Sequence, residues 1–161
     1  MHRVGQFVAH VLARVDRAEE ALVERVLPSP AGALFREMPV ADRRHGLDVA
    51  KRLLAAGHDD RDLLAAALLH DVGKGHRLRL WHRVAGVLLE SFAPRALRRL
   101  ASADPHSWRH PFHIYLHHGA ISAEMAVNAG CEPRAGAFIR GQPDATDAPL
   151  LAALEAADDA S

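Results

Sequence analysis

Apolar residues recur every three to four positions through most of the chain, and the period-two alternation of Val, Ile and Thr that marks half-buried strands is scarce. The pattern predicts an all-α fold, a compact helical bundle. Val4, Val8, Val11, Val15, Leu22 and Val26 place a first helix over 4–27, closed by Pro28 and Pro30. Its stripe suits either core packing, the commoner use of so short a stripe, or a dimer arm. A second helix is expected over 44–56, stopped at Gly57, with His45, Val49 and Leu53 on its inward face.

The third helix starts after Asp59 or Asp60 as N-cap and carries LLAAALLHD to the break at Gly73, with His70 on the face of Leu63 and Ala66. Residues 78–100 read as one or two helices around Pro94, and 103–111, with two prolines, as a loop. Another helix spans 112–129 and ends at Gly130, with His118, Ile121 and Met125 on a common face. A short helix follows Pro133, and the loop GQPDATDAP leads to the last one. There Asp147 is the expected cap, Pro149 stands in the first turn, and Leu151, Leu154 and Asp158 share a face.

Length and charge narrow the possibilities. The 161 residues suit a single domain with one core, and no internal repeat appears. Twenty Lys and Arg balance 20 Asp and Glu, so no overall field draws the chain to nucleic acid or anionic lipid. Arg77, Arg79, Arg83, Arg95, Arg98 and Arg99 make the middle locally basic, as a solvated helix face or as a phosphate-binding surface. The longest apolar run, 63–69, falls far short of the roughly 20 residues that cross a bilayer. With no signal-peptide layout at the N-terminus, a cytoplasmic protein without membrane attachment is expected.

Cys131 is the lone cysteine, so an internal disulfide and a Cys-rich zinc site are both ruled out. Histidine is abundant at 12 residues, which favours metal chemistry. A His-Asp pair means little by itself. His58-Asp59 lies in the polar turn AGHDDRD and reads as a solvated loop leading to a helix cap. His70-Asp71 differs because it ends a strongly apolar helix, where a buried imidazole and carboxylate need partners or a metal. His45 and Asp158 each place one polar group on an apolar helix face and complete a four-ligand N/O set. Taken singly, an inward His is commonly a hydrogen-bonded core residue and Asp158 a fraying terminus; the combination points to a metal.

These segments resemble the HD superfamily of metal-dependent phosphohydrolases, whose pattern is an isolated His, then His-Asp, then a distant Asp. Here the pattern reads RHGLDVAKRLLAAG with His45, AALLHDVGKG with His70 and Asp71, and LEAADDAS with Asp158. The likeness covers about 42–161, leaving 1–30 as an N-terminal helix on a single HD-type domain. It implies a metal held by His45, His70, Asp71 and Asp158. Such a set suits Mn, Fe, Ni, Co or Mg, with Zn also admissible.

Two-metal members carry a further histidine in a segment like HPxxGAxxA and another one helix later. HHGAISAEMA matches the first, with His118 at the His and Ser122 at the Gly; the later position falls near FIRGQPD, where Gly141 and Gln142 stand. One metal is therefore expected. Single-metal nucleotidases of the family place Glu three residues after the Asp, where this chain has Lys74, as in the HDxGK subgroup that sets this lysine near a substrate phosphate. Lys74 also suits the negative end of a helix dipole.

The resemblance implies a phosphohydrolase acting on a nucleotide or related phosphate ester through metal-activated water. Asp71 is the candidate proton acceptor. Lys74 and His118 come first as cations for the phosphate, then Arg77 and Arg79, and His118 also serves as candidate general acid. The lack of a GYP-like segment disfavours cyclic-di-GMP phosphodiesterase activity. A different class is a catalytically degenerate HD domain that binds a nucleotide or a protein partner. A nucleic-acid module built on the central arginines fits poorly with balanced charge and 5% aromatic residues. The first helix leaves a homodimer open.

Overall fold

Prolines cut the periodic stretches into helices. Pro30, Pro94, Pro111, Pro133 and Pro149 each stand in the first turn of a helix, where the absent N–H has no intrahelical partner to lose. The structure, a computed structural model, describes residues 17–75, Leu78 and residues 80–161, with the side chains of Leu80 and Arg83 left aside. All regular structure among these residues is helical: α1 (Arg17–Val26), α2 (Ser29–Glu37), α3 (Val40–Ala55), α4 (Arg61–Leu69), α5 (Leu80–Phe92), α6 (Pro94–Leu100), α7 (His110–Asn128), α8 (Pro133–Ile139) and α9 (Ala148–Asp159). Short 3-10 turns occupy Val72–Lys74 and Ala145–Asp147. The all-α expectation holds, and no described helix is long and apolar enough to cross a membrane.

Two boundaries differ from the sequence pattern, and a third lies outside the described residues. The first helix is described only from Arg17, so the stripe over 4–15 and the dimer arm built on it lie outside the described residues. Pro28 and Pro30 separate two helices instead of ending the helical region, because SPAGALFRE forms α2 with Ala31 and Phe35 buried. Its apolar positions are too few to stand out as a stripe. Helix α3 begins at Val40, four residues early, since its first turns bury Asp42 and Arg44 and so break the apolar rhythm.

Helix α4 is central because it is apolar all round, with Leu63 through Leu69 all buried. It packs against α1, α3, α7, α8 and α9. Leu47, Leu53, Phe35, Phe138 and Val23 join it in one buried cluster. Each fully buried Leu in such a place contributes about 1.5–3 kcal/mol relative to exposure.

Charges tie the outer helices to this centre. Glu19 of α1 is buried and accepts from Arg44 and, at 2.5 Å, from Lys51 of α3. Asp60 caps α4, its Oδ1 accepting the N–H groups of Asp62 and Leu63 at 3.0 Å each. Asp147 occupies the N-cap position of α9, but its side chain makes no capping bond. Instead it accepts from Arg134 of α8 at 2.7 and 2.8 Å, because a bidentate guanidinium competes successfully with backbone N–H donors.

Candidate metal centre

Two helices and the end of a third bring the chemistry-bearing residues together. His45 lies in the second turn of α3, His70 is the C-cap of α4, Asp71 follows it, and Asp158 sits in the last turn of α9. Small residues set how closely these parts approach. A Cβ on Gly46 would stand 3.0 Å from the carbonyl oxygen of Leu68 and 3.1 Å from that of Ala67, so glycine beside His45 lets α3 lie directly on α4. A Cβ on Gly73 would stand 2.8 Å from the backbone nitrogen of Ser122 and 2.9 Å from the carbonyl oxygen of His118. The Gly73 N–H donates to the buried Ser122 Oγ at 2.9 Å, which fixes the HDVGK turn on α7.

His45 Nε2 lies 2.7 Å from Asp158 Oδ1, and His70 Nε2 lies 3.5 Å from the same oxygen. The two imidazole rings meet edge to face with centroids 5.2 Å apart. His45, His70 and Asp158 thereby offer ligand atoms all within 4.8 Å of one another. Asp71 stands beside this trio, its Oδ1 3.5 Å from His70 Nε2. His70 Nδ1 is within 3.0 Å of the Ala67 carbonyl, to which it donates, and this commits the Nε2 lone pair to the cluster.

Asp71 adds the most buried carboxylate beside the cluster. Its carboxylate is only 4% exposed; Oδ2 accepts from Lys74 Nζ at 2.6 Å, while Oδ1 has no hydrogen-bond partner. A buried, unpartnered charged oxygen is costly, and natural structures keep few of them. Burial alone would raise the Asp71 carboxyl, but His70 and Lys74 outweigh it and hold it below the usual range. For Asp158 the hydrogen bond with His45 dominates and lowers it, whereas the same bond raises His45 against the effect of burial. Two imidazole nitrogens and two ionised carboxylates, one with an orphaned oxygen, fit a divalent cation.

A cleft of about 280 Å³ opens beside the cluster, bordered by His70, Asp158 and His118. Phe138, Ile139, Leu151 and Leu154 give it an apolar side. His118 projects from α7; its Nδ1 lies 2.8 Å from the Tyr115 carbonyl, to which it donates, leaving Nε2 as the free ring nitrogen. Lys74 is drawn to Asp71 and acts there as its counter-ion. Arg77 and Arg79 lie outside the described residues. Gly141 borders the cleft and Gln142 is exposed.

His58 and Asp59 stay in the turn before α4, apart from the cluster. Arg95, Arg98 and Arg99 are exposed and line, with Phe92, an open depression of about 940 Å³ that holds none of the candidate ligands. Sequence reasoning passed over Arg140 and Glu155, which also line the cleft. One signal for Glu155 was present: it precedes Asp158 by three residues on α9, the spacing of one helix face. Arg140 follows directly on α8 and carried no such periodic mark.

No protein-family model matches this chain, and no curated protein or solved structure matches it either.

Proposed function

We propose that the chain is a metal-dependent phosphohydrolase acting on a nucleotide or related phosphate ester. The observation that supports this reading above others is the buried Asp71 Oδ1, unpartnered and facing His70 next to the His45, His70 and Asp158 trio. His45, His70, Asp71 and Asp158 would hold a single divalent ion. When bound, that ion supplies Lewis acidity toward a phosphoryl oxygen and lowers the pKa of water at the site.

The chain's own groups divide the remaining work. Asp71, a carboxylate at neutral pH, is placed to take a proton from the attacking water. Lys74 offsets the Asp71 charge, so that carboxylate and phosphate tolerate one another at close range. His118 borders the cleft and, when it enters the reaction as an imidazolium, is suited to give its Nε2 proton to the leaving oxygen. The apolar side of the cleft excludes water around the ester and strengthens these charge interactions.

The test is elemental analysis of protein purified without added metal, followed by hydrolysis of phosphomonoesters and phosphodiesters with Mn²⁺ present. His70→Ala/Asp71→Ala is the control. The reading expects about one metal per chain and turnover that vanishes in the control. Metal without turnover on any ester would favour the catalytically degenerate binding domain, and absence of both would remove the metal centre altogether.

A further inference from the structure

The cleft beside the candidate metal cluster is bordered by two charged side chains outside that cluster. Arg140 and Glu155 both line it, both are exposed, and neither side chain has an ion pair or hydrogen bond among the described residues. Other charged groups near the site are engaged: Lys74 with Asp71, and Asp158 with His45. Charges of opposite sign thus border one small cleft from α9 and from the residue after α8.

We infer that Arg140 and Glu155 are the specificity-determining pair of this cleft, and that the substrate is a compact phosphomonoester bearing hydroxyl or amino groups, no larger than a mononucleotide. This inference rests on the phosphohydrolase reading above. An arginine fork binds phosphoryl oxygens bidentately and keeps its charge at all working pH values. A carboxylate accepts hydrogen bonds from sugar hydroxyls or an ammonium group and repels a second phosphate. Phe138, Ile139, Leu151 and Leu154 offer a surface for a ring or carbon chain between them.

Size argues in the same direction. Small-molecule clefts run from about 300 to 1,000 Å³, and this one, at about 280 Å³, lies just below that range. A dinucleotide needs roughly twice the room of a mononucleotide, so cyclic dinucleotides and dinucleoside polyphosphates fall outside the class.

The experiment compares kcat/KM of the Mn²⁺-loaded wild type on a 5′-mononucleotide, a sugar phosphate, p-nitrophenyl phosphate and a cyclic dinucleotide, with Arg140→Ala and Glu155→Gln alongside. Equilibrium binding of the same mononucleotide in EDTA gives a readout independent of turnover. The hydroxyl-bearing monoesters are expected to lead. Glu155→Gln should lower them by about 10-fold while changing p-nitrophenyl phosphate far less, because only the former make the charged hydrogen bond.

Arg140→Ala should raise KM for every monoester and weaken metal-free binding of the mononucleotide, each by about 10-fold. Circular dichroism and melting curves matching the wild type would show that both exposed substitutions leave the fold intact. Faster turnover of the cyclic dinucleotide, or Glu155→Gln acting equally on all monoesters, would overturn the inference and leave the hydrolase reading standing. Turnover of none of them would remove both.

Discussion

At the N-terminal end of α4, Arg134 meets Asp60, Asp62 and Asp147; at the C-terminal end, His45, His70, Asp71, Asp158 and Lys74 meet one another. The first group is saturated. Asp60 receives two backbone N–H groups as well as the guanidinium, and Asp147 receives the guanidinium through two bonds. Arg134 also lies over the Phe138 ring, 5.0 Å from its centroid. The second group retains an orphaned oxygen on its most buried member. A polar cluster whose donors and acceptors all find one another supports the fold, whereas one left short of a partner carries an unmet cost that a bound ion would offset.

The sharpest way to test the contrast is to take ligands from the C-terminal cluster. His70→Ala is expected to weaken Mn²⁺ binding by at least about 100-fold, read by isothermal titration. In the wild type, a 100-fold excess of metal over its Kd should raise stability by about 2.7 kcal/mol, and the melting temperature of His70→Ala should not respond. Equal metal affinity in both proteins would show that the cluster is as self-contained as the one around Arg134.

Next in size is Gly73→Ala, which forces a Cβ into the backbone of α7. A loss of about 1–3 kcal/mol is expected from denaturant melts. Metal affinity should fall with it, since the turn carrying Asp71 would have to move. An Ala variant as stable as the wild type would mean that α7 can retreat from the turn.

Arg134→Ala strips the N-terminal cluster of its cation. The network is partly exposed, so solvent screening limits the expected loss to about 1–2 kcal/mol, with metal binding unchanged. The same network has a pH signature. Burial would raise the Asp60 carboxyl, but Arg134 and the helix N–H groups together hold it below its ordinary value. For Asp147 the Arg134 hydrogen bond leads and also lowers it.

Groups lowered on folding stabilise fully above their unfolded value, near about 3.9 for Asp, and that contribution drains away as pH falls through the folded values. Wild-type melting temperature should therefore fall more steeply below about pH 4 than that of Arg134→Ala. Parallel acid profiles would break the assignment of these shifts to Arg134. Asp60→Asn should have the smallest effect, within about 0.5 kcal/mol beyond the weakened ion pair, because Asn caps a helix nearly as well as Asp.

Much of this protein is legible one residue at a time. Proline placement set the starts of α6, α8 and α9, the Asp60 cap set the start of α4, and the unbroken apolar run made α4 the buried centre. All of these depend on local chemistry: a missing N–H, a side chain reaching its own backbone, a helix with no polar face. Helix α2 and the first turn of α3 escaped because Phe35, Asp42 and Arg44 are buried by neighbours distant in sequence.

The site divides along the same line. His45, His70 and Asp158 could be singled out as polar residues breaking apolar helix faces, and Asp71 by following His70 at a helix end. Distances between them depend on close packing that no periodicity records: Gly46 lets α3 lie on α4, and Gly73 lets the turn carrying Asp71 lie on α7. That Lys74 pairs with Asp71, that Asp147 binds Arg134 instead of capping α9, and which charges border the cleft were decided by tertiary packing alone. The physical reason is that each such side chain has several partners within reach along the chain, and only the folded arrangement determines which one is near enough to win.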